Sequence, residues 1–349
     1  MMNALCYKPT VALLIGVVWL LSACQSGTAQ RALTELQGAT MGTSYTVKIV
    51  ALSAELKPER IQAEIDAILE RINRQMSSYL EDSELSQFNR NQATDWIDAS
   101  QELAAVLQQA QQVSALTNGA FDVSVGPLVN LWGFGPSPGM DQVPSEQDIR
   151  EAGNRVGYTG LQVRSSSPAI RKHRPDLYVD LSAIAKGYAV DAVAEYLQSQ
   201  GIDNYMVEIG GEIRAMGRNA RDRLWRIAIE KPSSGSRSIH TVIELDNVGI
   251  ATSGDYRNYF EKEGRRYSHT IDPRTGRPIT HKLAAVTVVN PSTMHADAIA
   301  TALMVLGPEA GYRLAEEHKL AAFFIVKGED GFYDKPTKAF RQYFTSERE

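Results

Sequence analysis

The stretch from Leu177 to Gly201 constrains the fold more than any other, because a short apolar run, Leu177 to Val179, passes within a few residues into a helical pattern. Ile184, Ala189, Val193 and Leu197 recur at roughly helical spacing, and Gly201 marks the C-terminal stop. The turn between the apolar run and the helix carries Asp180 on one side and Lys186 on the other. Free N–H groups at a helix start, the positive end of the helix dipole and a lysine ammonium together attract an anion, and Asp180 can accept hydrogen bonds from a ligand. An ordinary strand-to-helix turn with one solvated lysine has the same sequence, so this stretch alone leaves both readings open.

Upstream, helical patterns dominate. Gly38-Ala-Thr-Met-Gly-Thr43 reads as a flexible turn leading into an alternating strand, Tyr45 to Val50. Pro58 to Met76 is an amphipathic helix with Ile61, Ile65, Ile68, Leu69 and Ile72 on one stripe. After the polar break Met76-Ser-Ser-Tyr79, a two-turn helix spans Asp82 to Asn89, and a third starts near Ser100 and stops at Asn118-Gly119. Tyr79 either stacks on a ring or plugs the turn. Asp122, just past that stop, either points toward a pocket or bonds nearby backbone. The breaker-rich loop Trp132 to Gly139 is expected at the surface, where it can act as a lid. Ser145 to Gly153 reads as a capped helix and Gly160 to Arg164 as a strand.

Past Gly201 the pattern turns to β, with strands over Tyr205 to Ile209, Gly211 to Met216, Leu224 to Ile229, Ile239 to Leu245 and Val248 to Thr252. Short connections rich in Gly, Asn and Asp make the sheet largely antiparallel. Ile209-Gly-Gly-Glu212 lets the backbone pass close to a neighbour, and Thr252-Ser253-Gly254 ends a strand in hydroxyls suited to phosphate oxygens or ring edges. A β-bulge explains either glycine equally well. The fold expected is α+β, one compact body of two intimately joined lobes, helices early and sheet late.

The amino end is different. Lys8 precedes the apolar run Val11 to Leu21, too short and wrongly flanked for a membrane span, so residues 1–23 read as an export signal. Leu21-Ser-Ala-Cys24 resembles the bacterial lipobox, which makes Cys24 the lipidated first residue of the mature chain, followed by a polar tether to Gln37 and a body over 38–349. Acyl chains then hold the body at a membrane, at about 0.8 kcal/mol per buried methylene. Cys6 leaves with the signal and Cys24 is the only other cysteine, so disulfide and thiolate chemistry are excluded from the body. A net charge of -5 with scattered basic residues argues against nucleic acid as a partner.

The strongest chemistry lies in Tyr267-Ser-His-Thr-Ile-Asp-Pro-Arg-Thr-Gly276 and His295-Ala-Asp-Ala-Ile-Ala-Thr301. Asp297 and Thr301 are four apart on a helix whose apolar face is Ile299, Leu303 and Met304, so both oxygens share one side. A carboxylate beside a hydroxyl suits a hard cation such as Mg2+; it also suits an aspartate that satisfies a helix N-terminus beside a threonine that fills space. His173, His240, His281, His295 and His318 show no ligand spacing and read mostly as surface.

Eight short motifs in one order together resemble the ApbE family of periplasmic FAD:protein FMN transferases. They are Thr40-Met-Gly-Thr43, Met76-Ser-Ser-Tyr79, Ala120-Phe-Asp122, Asp180 to Gly187, Gly210-Gly-Glu212, Thr252-Ser-Gly-Asp255, His269 to Gly276 and Ala296 to Thr301. The resemblance implies FAD contacts at Met41, Ser78, Tyr79, Ala120, Phe121, Asp122, Asp180, Lys186 and Ile271, with FAD in the cleft between the lobes. It also implies Mg2+ held by Asp297, Thr301 and the backbone carbonyl of Ala183; Ser182-Ala183 stands where many members carry glycines, a change that a backbone ligand tolerates. The implied reaction moves FMN from FAD to a threonine or serine hydroxyl and releases AMP. His269 is the first choice for general base, with Asp272 as the alternative. An FAD pyrophosphatase and a non-catalytic flavin-binding lipoprotein are the rival classes. The implied acceptors belong to membrane redox complexes of the Na+-pumping quinone reductase or Rnf type, and the implied location is the periplasmic face of the inner membrane.

Overall fold

The computed structural model describes residues 30–136, 143–232, 238–255 and 259–345. The export signal, Cys24 and the end of the 132–139 loop lie outside them. Eight strands form one sheet, and they line up in the order in which the chain makes them: β1 (Leu33–Thr40), β2 (Thr43–Val50), β3 (Tyr205–Ile209), β4 (Glu212–Met216), β5 (Val248–Gly254), β6 (Leu283–Asn290), β7 (Ala321–Lys327) and β8 (Phe332–Pro336). Every neighbouring pair is antiparallel. The sheet is thus a meander, and the helices are insertions between its strands.

The expected tether to Gln37 is too long, since β1 pairs with β2 from Leu33↔Val50 to Thr40↔Thr43. Between β2 and β3 come α1 (Pro58–Met76), α2 (Glu84–Arg90), α3 (Gln101–Leu116), α4 (Gly126–Leu131), α5 (Glu146–Gly153) and α6 (Ala185–Ser199); α7 (Thr293–Glu317) follows β6. Helices early and sheet late therefore holds, with β1, β2 and α7 as the exceptions. α7 breaks at Gly307-Pro308, where the φ of Gly307 is +81° and the proline has no N–H to give.

Both faces of the sheet are covered. Val47, Val207, Val286, Val288 and Phe324 pack against Ile65 and Leu69 of α1, Val190 and Val193 of α6, and Ile299 and Leu303 of α7. On the other face Ile250, Val289, Phe323 and Ile325 meet Trp225, Ile243 and Phe340, contributed by the separate hairpin Trp225–Glu230/Ile239–Leu245 and the 3-10 turn Lys338–Tyr343. Burial on both sides explains why β7 is an unbroken apolar run rather than an alternating one.

The strand expected over Leu177 to Val179 does not form. Val179 exchanges its hydrogen bonds with a side chain, donating to Asn89 Oδ1 at 2.8 Å and accepting from Asn89 Nδ2 at 2.9 Å. Asp180 N then donates to Val123 O at 2.7 Å. An asparagine amide replaces a partner strand. Lys172, fully buried, holds the same strap by donating to the carbonyls of Phe88 and Asn89 at 3.1 and 3.2 Å, and burial lowers its pKa.

Candidate active site

Three pieces of backbone and one helix start meet at one end of the sheet. Met41 and Gly42 form the two-residue turn between β1 and β2, with φ of +51° and +71°; Gly210 and Gly211 form that between β3 and β4, with φ of +58° and +102°. The expected flexible loop at Met41 is instead a tight hairpin. Gly210 N donates to Ser44 O at 3.2 Å, and a Cβ on Gly210 would lie 2.9 Å from Thr43 Cγ2 and 3.2 Å from Lys186 Cδ. Only glycine lets the two turns and the start of α6 come this close. β5 supplies the third piece, since Thr252 to Gly254 run on past the end of its pairing with β4.

Lys186 reaches from the first turn of α6 to the carboxylate of Glu212, the first residue of β4, and Asp297 of α7 lies close enough to act on both. Glu212 and Asp297 are each 4 % exposed. Burial works against the charge of Lys186, yet the Asp297 and Glu212 carboxylates hold its pKa above the usual lysine range. Burial pushes the Glu212 carboxyl up to about 7, with Lys186 pulling it down and Asp297 pushing it further up. Asp297 is likewise raised by burial, with Lys186 and the Gly187 N–H opposing. One lysine faces two buried carboxylates.

Asp297 does not cap its own helix. Its Oδ2 accepts from Gly187 N at 3.0 Å, the donor that a regular helix would hand to Ala183 O, and among the described residues no backbone donor reaches that carbonyl. Thr301, one turn along α7, has its hydroxyl 3.2 Å from Ser253 Oγ, while Thr252 bonds Thr287 at 2.8 Å. Carboxylate, carbonyl and hydroxyl oxygens thus gather where a lysine already sits. Oxygen donors of this kind suit a hard, oxygen-loving ion rather than a nitrogen- or sulfur-bound one.

The start of α7 is satisfied from α6. Asp191 accepts from Thr293 N and Met294 N at 3.0 Å each, from Ser292 Oγ at 2.9 Å and from Arg214 Nη1 at 2.9 Å, and Ser292 caps the helix by accepting from His295 N. Each helix therefore lends an aspartate to the other's N-terminus.

The model of the ApbE family matches residues 41–324 of this chain. The chain belongs to the ApbE family. The FAD:protein FMN transferase of Vibrio cholerae (strain O395) is 47 % identical over 326 residues, covering 93 % of this chain and 96 % of that protein. That of Escherichia coli K12 is 40 % identical, covering 90 % of each. Among solved structures, the flavin transferase ApbE from Vibrio cholerae superposes with a TM-score of 0.84 at 46 % identity, over 90 % of this chain and all of that one. The apo flavinyl transferase ApbE of Pseudomonas stutzeri gives 0.82 at 44 %, over 90 % and 98 %.

The remaining expected site residues of this ApbE-family chain fall into two neighbouring groups. In one, the Tyr178 hydroxyl is held by the Asn130 and Ser78 side chains. Tyr79 beside it stays 64 % exposed, and partial desolvation followed by the charge of Asp180 raises its phenol pKa. Asp180 accepts from Ser182 N at 2.8 Å and Ser182 Oγ at 2.5 Å, a local turn that fixes its direction. Asp122 bonds to its own neighbourhood. Its oxygens take Ser124 N, Ser124 Oγ and Tyr158 N at 2.6 to 2.8 Å, and Ala120 and Phe121 are buried around it. The bonds to nearby backbone expected of such an aspartate are present.

The second group is built on aromatics. Ile271 packs with Leu128, Trp132 and Ile149; Trp132 donates to Gly276 O at 2.9 Å and stacks on Tyr267 at 5.6 Å, so the expected surface loop is buried at its start. His269 meets the edge of Phe134 at 6.3 Å. Arg266, in the hairpin leading to His269, donates to Asp255 O just past Gly254, which ties this group to the end of β5. α4 ties it to the other group, because Gly126 lies against Tyr178 and Asp180 while Leu128 joins the aromatic core. Asp272 is clamped by Nε and Nη2 of Arg274 at 2.9 and 2.8 Å. The other histidines are not all surface: His281 and His295 are half-buried with burial lowering both, and His240 bonds Asp334 at 2.5 Å. Sequence reasoning gave Glu212 no role; its only signal is a carboxylate directly after a Gly-Gly hairpin tip.

Proposed function

We propose that this chain transfers FMN from FAD to a threonine or serine hydroxyl of a second protein, releasing AMP. The observation that carries the reading is Lys186 held between Glu212 and Asp297 beneath the glycine and hydroxyl turns, a cation fixed where a pyrophosphate needs one. Lys186 binds the phosphates, and the turns at Met41, Gly210 and Thr252 to Gly254 frame them. Ser78, Tyr79, Asp180 and Ile271 line the flavin's place. Asp297, Thr301 and the Ala183 carbonyl would hold Mg2+, which fits because buried carboxylates outnumber the lysine there. When bound, the ion neutralises phosphate charge. His269 takes the proton of the acceptor hydroxyl, whose oxygen attacks the FMN-side phosphorus as the phosphorus-oxygen bond to AMP breaks.

In this reading the chain is exported and anchored through Cys24 to the inner membrane, facing the periplasm, where its acceptors are redox complexes of the Na+-pumping quinone reductase or Rnf type. The test incubates the mature protein with FAD, Mg2+ and an acceptor protein, and reads covalent flavin by in-gel fluorescence and AMP by chromatography. His269→Gln should slow transfer by about a hundredfold or more while leaving FAD affinity within a few fold. AMP release that is equally fast without acceptor, and no fluorescent acceptor band, would instead mark a pyrophosphatase.

A further inference from the structure

At the end of the sheet opposite the active site, Arg31 N donates to Ala220 O at 2.9 Å, which seats the start of the described chain on the loop after β4. That loop carries Arg218, Arg221 and Arg223, all exposed and none in an ion pair among the described residues, with Asp222 as the one acid, 3.7 Å from Arg31. Arg226, further along, faces Glu244 across a hairpin. The loop carries three arginines against one aspartate, with exposed Asp203 and Asp246 at its borders, a local cationic excess on a chain whose net charge is -5. Leu33, 45 % exposed, adds an apolar side chain beside it.

We infer that this arginine loop is a seat for an anionic bilayer surface, holding the body with its Arg31 end toward the lipid. The occupant follows from chain length and charge. Cys24, the proposed acylation site, lies seven residues before Arg31, a reach of at most about 25 Å when fully extended. The nearest surface that the anchor brings to Arg31 is the lipid itself, and guanidinium groups are drawn to anionic headgroups. The inference rests on the anchor reading and goes beyond it, since an anchor alone leaves the body free to tumble.

The experiment uses the lipidated full-length protein with Ala32→Cys labelled by a fluorophore, a clean label because Cys24 is acylated and the signal is gone. Vesicles of phosphatidylcholine with or without phosphatidylglycerol carry a headgroup quencher. Quenching should be strong with phosphatidylglycerol, weak without it and relieved by 0.5 M salt as a roughly 4 Å screening length predicts. Arg218→Gln/Arg221→Gln/Arg223→Gln should lower the bound-to-free ratio on the order of a hundredfold, about fivefold per arginine, with FAD turnover in detergent unchanged. Equal quenching in both lipids, or in the triple variant, overturns the inference. Unchanged quenching with a raised KM for acceptor would assign the loop to the acceptor protein instead. Failure of the anchor reads differently, as protein that does not float with either vesicle.

Discussion

Asp191 and Asp297 are both buried aspartates on the facing helices α6 and α7, and each serves the other helix's N-terminus, yet they do opposite work. Asp191 is saturated: two backbone N–H groups, a serine hydroxyl and an arginine use its oxygens. Asp297 has one backbone N–H and shares one lysine with Glu212, and burial leaves its carboxyl raised. A buried charge with all its partners built in holds a fold together; one left under-compensated is a place for a ligand.

The sharpest break of this comparison is Asp297→Asn. Asparagine still accepts from Gly187 N, so the melting temperature should stay within a few degrees, while flavin transfer falls by about a hundredfold or more. Wild-type transfer in this variant would remove Asp297 from the chemistry. Asp191→Ala should do the reverse, costing about 3–5 kcal/mol in a denaturant melt, because Arg214 and the α7 N-terminus lose their partner together. A loss below 1 kcal/mol there would mean that the helix junction is held elsewhere.

Gly210→Ala tests the crowding beside Lys186. It should cost on the order of 1–2 kcal/mol through its left-handed φ and the 2.9 Å approach to Thr43, and raise the KM for FAD as Lys186 is displaced. A stable variant with unchanged KM contradicts the close approach. Glu212→Gln tests the raised carboxyl. With its folded pKa at about 7 against an ordinary 4.5, native Glu212 binds more proton than the unfolded chain between those values, so wild-type stability falls as pH rises through that window. Melting temperatures at pH 5 and 7.5 should differ less in Glu212→Gln than in wild type; equal differences would count against the raised carboxyl.

The amphipathic helices were legible because their stripes follow one local period: Ile61, Ile65, Ile68, Leu69 and Ile72 all entered the core as their spacing requires. The lack of a strand at Leu177 to Val179 was not, since the extended backbone there is paired by Asn89, 90 residues away, and a side-chain amide leaves no periodic trace. The site was half legible for the same reason. Asp297 and Thr301 share a helix face that spacing reveals, whereas the pairing of Lys186 with Glu212 spans 26 residues and that of Asp297 with Gly187 spans 110, so both depend on sheet register and helix packing. Asp122 shows the limit from the other side, because nothing in its neighbours distinguishes an aspartate that faces a ligand from one folded back on Ser124.

β1 begins beside the arginine loop at Leu33 and ends at the Met41 turn, eight residues later. At about 3.3 Å per residue that makes the sheet a standoff of roughly 26 Å between the chain's point of emergence and its catalytic end. With the arginines on the lipid, the donor phosphate hangs about that far above the membrane plane, facing outward. If the proposed seat and the proposed transfer both hold, height would act as a selection rule: a hydroxyl lying flat on the bilayer would be out of range, and one carried on a stalk or domain of matching altitude would reach His269.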